Sequence, residues 1–234
     1  AVGILFKDLP PALLLPLGPA GALLSFRGDA LLVIYLLALA RFGTAWAAME
    51  TGSAFEGMGT AREVSYAVLA EAAIITAMLT LSVHAQSITL VEMLTPASGV
   101  GAVLLGAGLF TVLLVENCRV PFDDPNTHLE LTMIHEAMIL DHSGPPLAAI
   151  LHGASVKLLL FAVLLTESVV PLGHFSGPVA CAVLALGVLT VTVGVGLVES
   201  LLARLAFRRV PLLLTTAILL CLFALLVAWK GGAA

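Results

Sequence analysis

Five ionisable side chains stand where so apolar a chain has few: Arg41, Glu71, Glu116, Lys157 and Glu199. Arg41 lies about eleven residues into an apolar run that begins at Asp29, Glu71 about ten into one from Ala61, and Lys157 about eleven into one from Pro146. At about 1.5 Å per helical residue, all three come near the middle of a hydrocarbon slab about 30 Å thick. A charge there is expensive unless it is paired or hydrated, so these side chains must face protein or water. The chemistry open to them is proton transfer, because burial and neighbouring charges retune the proton affinity of carboxylates and lysines. Glu116 and Glu199 stand nearer the ends of their runs, and Glu63 and Glu167 toward opposite faces. The set reads as a proton relay. The competing readings are a helix-pinning Arg41–Glu71 ion pair and a surface pair of Glu199 with Arg204.

A second concentration of reactive groups is the polar island Glu116–Gly144, ENCRVPFDDPNTHLELTMIHEAMILDHSG, with six of the chain's fifteen carboxylates. Placed between membrane-length apolar runs, it must sit at a membrane surface or line a wet cavity. Thr127 and Glu130 have the spacing of a capping box, which predicts an amphipathic helix from His128 to about Leu140 with Leu129, Met133, Ala137 and Leu140 along one side. Arg119, Asp123, Asp124, Glu130, His135, Glu136 and Asp141 could pair with a docking protein; the plainer alternative is a solvated loop. A metal centre is not expected. His128 and His135 are about 10 Å apart along a helix, too far to share an ion. His135-Glu136 lacks the second histidine of the zinc motif H-E-x-x-H. Cys118, Cys181 and Cys221 are widely spaced and read as isolated thiols.

The elements that must position these groups follow from composition. Sixty per cent of the 234 residues are hydrophobic and 11% charged, with a mean hydropathy of +1.12. This predicts an all-α polytopic membrane bundle, a single membrane domain over 1–234 with a cytoplasmic docking loop at 117–145. The net charge of −5 and scattered cations give no support to nucleic-acid binding. Lys7, Asp8, Pro10 and Pro11 interrupt the first residues, so no secretory signal is read there. Six runs are long enough to span: Asp29–Glu50, Ala61–Val83, Ala97–Glu116, Pro146–Val170, Gly177–Leu205 and Val210–Trp229. The fifth is the longest and is expected to tilt or protrude, with Gly187, Gly194 and Gly196 suited to close helix packing. Arg62, Arg119, Arg204, Arg208 and Arg209 fall in alternate connections, which the positive-inside rule places in the cytoplasm together with the island.

The run ENCRVPFDDPNTHLEL resembles the E-x-x-R-x-P-F-D signature of the subunit 1 family of respiratory complex I. The stretches TMIHEAMILDHSG and ARFGTAWAAMETGSAFEGMGTAREV are closer to the membrane-anchor subunits of energy-converting group 4 [NiFe] hydrogenases and formate hydrogenlyases. Glu116, Arg119, Pro121, Phe122, Asp123 and Glu130 fall on positions of the complex I pattern. Asn126 and His128 stand where quinone-reducing members carry glutamates, and the stretch before Ser143-Gly144 is longer. The family usually has eight spans, of which the six here correspond to the third to eighth.

The resemblance implies a non-catalytic anchor in the cytoplasmic membrane, joining a peripheral electron-transfer arm to antiporter-like membrane subunits. It implies no redox centre on this chain, with [NiFe] and iron–sulfur centres on hydrogenase-like and iron–sulfur partner subunits; the ion moved is H⁺ or Na⁺. Two alternatives stand beside it. A quinone-binding subunit would need a lipid-sized cavity beneath the island. A stand-alone channel or transporter would be expected to show an inverted repeat, and none is visible.

Overall fold

The computed structural model describes residues 9–18, 21–96, 99–123 and 133–232. In chain order its α-helices are α1 (Leu9–Leu14), α2 (Asp29–Glu50), α3 (Ala54–Ala85), α4 (Leu90–Met93), α5 (Gly99–Glu116), α6 (His135–Ile139), α7 (Gly144–Val169), α8 (Gly177–Leu201) and α9 (Val210–Gly232). Six of these, α2, α3, α5, α7, α8 and α9, are long and apolar enough to cross a membrane. Unbroken Leu, Ala and Val runs favour helices in hydrocarbon, where each backbone N–H and C=O must find a partner within its own segment. Prolines fall within the first turns of α7 and α8, where the missing N–H is harmless. The chain is a multi-pass membrane protein.

Helix α9 packs against α3 and α5, α7 against α5 and α8, and α2 against α3, while α1 bridges α2 and α7. The shared core contains Val33 and Leu37 of α2, Ala73, Ala77 and Leu81 of α3, Leu105, Leu109 and Leu113 of α5, and Ala217 and Cys221 of α9. The small residues let backbones approach closely, the main source of helix association in lipid. Of the three glycines expected to serve this purpose on α8, Gly187 does so: an added Cβ would collide with the Thr166 side chain. Gly194 makes only ordinary contact with Phe110, and Gly196 faces open space.

Three boundaries differ most from expectation, each for a local reason. Helix α3 begins at Ala54 rather than Ala61 and has 32 residues, about 48 Å at 1.5 Å each. It is longer than a bilayer core is thick, and its first turns form a strut against which the loop segment packs. Helix α8 ends at Leu201 rather than Leu205, with Leu202 extended. The freed strand turns back, and Leu205 N–H donates to Pro121 O at 2.9 Å. Of the amphipathic helix expected over 128–140, the described residues 133–140 are helical at His135–Ile139, with Met133 and Ile134 outside the helix. Asp124, Thr127, His128, Leu129 and Glu130 lie outside the described residues. The buried side of the segment is Met133, Ile134, Ala137, Met138 and Ile139, while Leu140 is 43% exposed.

Gly59 explains how α6 reaches the strut. A Cβ at this position would lie 2.9 Å from Ile134 O, 3.0 Å from Ala137 Cβ and 3.1 Å from Met138 Cγ. Only a residue without a side chain permits that approach. The loop therefore rests on α3 and touches α2.

Candidate functional site

Arg41, on α2, is the hub of a largely buried charge cluster. Its Nη1 donates to Glu71 Oε1 at 3.2 Å and to Ala67 O at 3.4 Å. Its Nη2 bonds Glu116 Oε1, and its Nε faces Glu63 Oε1 at 3.6 Å. Lys157 Nζ approaches the other Glu116 oxygen at 3.9 Å. Four helices thus each send at least one ionisable group to the same place: α2, α3, α5 and α7. Two cations, Arg41 and Lys157, meet three carboxylates, Glu63, Glu71 and Glu116, so the formal charges leave one carboxylate in excess. Exposure grades the members: the Glu116 side chain is 2% exposed, Arg41 9% and Glu71 41%. The cluster therefore runs from a closed interior at Glu116 to an open flank at Glu71.

Two polar cavities connect this cluster to the loop. One of about 40 Å³ is lined by Arg41, Thr44, Glu63, Cys118, His135 and Lys157, among others. The second, about 210 Å³, is lined by Glu116, Asn117, Arg119, Asp123, Glu136 and Lys157, and again by Cys118 and His135. A buried water needs roughly 10–15 Å³ and two to four polar partners, so the smaller cavity has room for about three or four waters and the larger for more. Lys157 lines both. Burial pushes the Cys118 thiol well above its ordinary value of 9.0, with the Glu63 carboxylate adding to the effect.

The loop is held from below by buried carboxylates. Asp123 is 1% exposed, and its Oδ2 accepts from the N–H groups of Ile134 and His135, both at 2.9 Å. That pair of bonds sets the start of α6. Its Oδ1 faces Arg204 Nη2 at 3.5 Å. At the other end of α6, the fully buried Glu56 accepts from Asp141 N–H at 3.0 Å and contacts His142 Nδ1 at 3.3 Å. Arg62 donates to Met133 O at 2.7 Å. The guanidiniums of Arg62 and Arg204 stand 4.8 and 4.7 Å from the Phe207 ring centroid, a cation–π arrangement. Arg119 pairs with Glu199 at 3.3 Å. The strut of α3, the 117–123 segment and the 202–209 connection are thereby tied into one platform.

The residues singled out in the sequence fall into two groups. Arg41, Glu71, Glu116 and Lys157 come together, and both the ion pair and the shared cluster are present: Arg41 pairs with Glu71 and with two further carboxylates. Glu199 stands apart from that cluster and is joined to Arg119 rather than to Arg204. Of the loop residues, Asp123 is turned inward, His135 and Glu136 line the larger cavity, and Asp141 is exposed. Among the described residues no group of three or more His, Cys, Asp and Glu side chains is placed to hold a metal ion.

The family model described as NADH dehydrogenase matches residues 4–230. The chain belongs to the NADH dehydrogenase family. Two similar proteins come from Escherichia coli (strain K12). Hydrogenase-4 component C is 30% identical over 226 residues, covering 86% of this chain and 70% of the relative. Formate hydrogenlyase subunit 4 is 28% identical over 209 residues, covering 84% of this chain and 67% of the relative. The fold is similar to a chain in the structure of the membrane-bound sulfane sulfur reductase, an archaeal respiratory membrane complex. The TM-score is 0.79 at 18% identity, over 97% of this chain and 77% of that one.

Two residues of this NADH dehydrogenase family member are not evident from the sequence. A helix starting at Ala61 would hold Glu63 in its first turn; with α3 begun at Ala54, it lies two and a half turns in and reaches Arg41. The signal available is its eight-residue spacing from Glu71, which sets the two about 80° apart around the helix, within one broad stripe. Glu56 falls in a stretch that reads as a loop, and nothing in its neighbourhood marks it as the buried acceptor for residues 141 and 142.

Proposed function

We propose that this chain is the membrane-anchor and coupling subunit of a multi-subunit redox-driven ion pump of the membrane-bound hydrogenase or formate hydrogenlyase type. The observation that carries the reading is the Arg41–Glu63–Glu71–Glu116–Lys157 cluster, connected by polar cavities to a loop platform built on buried carboxylates. The kinship with hydrogenase-4 component C and formate hydrogenlyase subunit 4 supports the same reading.

In this proposal the platform faces the cytoplasm and receives a peripheral arm of hydrogenase-like and iron–sulfur subunits, which hold the [NiFe] and iron–sulfur centres. The partly exposed Arg119 and Glu136 and the exposed Asp141, with Asp124 and Glu130 of the same loop, provide the docking charges. Asp123 and His135 transmit displacement of the loop to the cavity walls. Lys157 is a compact charge on a flexible stem, able to move between Glu116 and the larger cavity. A proton taken up at the loop side passes by Lys157 to the excess carboxylate of the cluster. It leaves at Glu71, the member open to the flank, toward an antiporter-like membrane subunit. Arg41 keeps the three carboxylates within reach of one another throughout. Glu199, joined to Arg119, belongs to the loop-side entrance. The same path serves H⁺ directly and Na⁺ movement through the partner. The membrane is the cytoplasmic one.

The alternative of a quinone-binding subunit is less favoured by the cavities. The two spaces beneath the loop that described residues line measure about 40 and 210 Å³, whereas a pocket for a drug-sized ligand holds roughly 300–1,000 Å³. The two readings separate when the complex is purified from its native membrane. Co-purification of [NiFe] and iron–sulfur subunits, with turnover insensitive to quinone-site blockers, supports the proposal. Isolation alone, or inhibition by those blockers, would count against it.

A further inference from the structure

The face opposite the loop carries a second built feature that the relay does not use. A polar cavity of about 660 Å³ lies between the end of α3, the turn into α4 and the end of α9, with Arg27, Ser82, Gln86, Thr89, Glu92 and Trp229 in its wall. It adjoins an apolar groove of about 200 Å³ between α2 and α3, roofed by Ile88 and Met93. Ser82 and Ile88 line both spaces. From Ser82 the groove descends along α3 past Leu79 and Met78 to Ile75, about 10 Å along the helix axis. Leu31, Ile75 and Leu79 are about half exposed, so the groove is open along its outer side.

The charges of the polar space select what fits it. No described residue forms an ion pair or hydrogen bond with the Arg27 guanidinium. One oxygen of Glu92 takes the Ser87 hydroxyl, and Glu92 is exposed. A cation and a carboxylate, not paired with each other, therefore stand in one polar cavity directly above an apolar slot. Trp229, 68% exposed, is the kind of side chain that sits at head-group depth. The geometry points to a site for one phospholipid of the leaflet opposite the loop, with its phosphate at Arg27, a primary ammonium at Glu92 and an acyl chain in the groove. This is the chemistry of a phosphoethanolamine head group. A purely anionic head group would leave Glu92 without a cation, and a choline could not donate a hydrogen bond to it. A free phosphate would not use the groove.

The test is native mass spectrometry of the whole complex, delipidated stepwise and exchanged into nanodiscs of phosphatidylethanolamine, phosphatidylcholine or phosphatidylglycerol. One phosphatidylethanolamine molecule should stay bound after bulk lipid is removed. Arg27→Ala should lower its retention at least tenfold, and Glu92→Gln should abolish the preference over phosphatidylcholine. Ile75→Trp, which fills the groove from its lipid-facing side, should lower retention with both head-group contacts intact. Millimolar inorganic phosphate should not displace the lipid. Unchanged retention in all three variants would overturn the assignment, as would displacement by phosphate alone. So would cross-linking of Leu79→Cys to a protein segment in place of lipid.

Discussion

Replacing Asp123 with Asn should loosen the loop platform while leaving the spans in place. The carboxylate accepts two backbone N–H bonds at 2.9 Å and faces Arg204 at 3.5 Å. Asparagine keeps one acceptor oxygen but loses the charge, and its amide turns two donors toward a guanidinium that is itself only a donor. Changing each charge-assisted bond to a neutral one costs about 1 kcal/mol. Arg204, left without its carboxylate but still against Phe207, adds about 1–2 kcal/mol, less than the usual penalty for breaking a buried pair. The sum, about 3–4 kcal/mol, falls on opening of the 133–142 segment rather than on the bundle. At about 1.4 kcal/mol per tenfold, amide hydrogen exchange at Ile134 and His135 should accelerate roughly 100- to 700-fold, with protection in α5 and α9 unchanged. Exchange within threefold of the parent would refute the role assigned to Asp123.

Other substitutions probe the same construction. Gly59→Ala places a Cβ against Ile134 O and Ala137, so it should destabilise seating of α6 by about 1–3 kcal/mol; cysteine cross-linking between α3 and α6 would report the gap. Phe207→Leu removes the ring between Arg62 and Arg204 and should destabilise the platform by about 1–2 kcal/mol, seen as faster proteolysis in the 202–209 connection. Cys118, whose thiol is raised by burial, should stay protonated and resist water-soluble alkylating agents at pH 8 until the chain is unfolded. The sign for stability follows: the unfolded thiol ionises near 9.0, the folded one only at higher pH. Its contribution is therefore complete below about pH 9 and declines by up to about 1.4 kcal/mol per pH unit above it. A denaturation midpoint that rises between pH 9 and 10 would contradict this.

The spans were legible because a 20-residue apolar run in lipid has one good solution, and Asp29–Glu50 is recovered to the residue. Arg41, Glu71 and Lys157 could be nominated because helix rise converts sequence position to depth. Their convergence with Glu63 and Glu116 could not, since it depends on which faces α2, α3, α5 and α7 turn toward one another. The strut of α3 was hidden because Glu56 and three nearby glycines, Gly52, Gly57 and Gly59, read as a loop; its helix is secured by contact with α6, about eighty residues further along the chain. Likewise Glu199 and Arg204 are five residues apart and invite pairing, yet the end of α8 at Leu201 separates them. Each then takes a partner from the 117–123 segment.

The most direct test follows ion movement and electron transfer together in the purified complex, reconstituted into proteoliposomes. Glu71→Gln closes the flank-side end of the cluster and Lys157→Met removes the group between the two cavities. The expected result is that either variant abolishes ion uptake while the peripheral arm still turns over its redox reaction. Full coupling of uptake to turnover in both variants would contradict the relay.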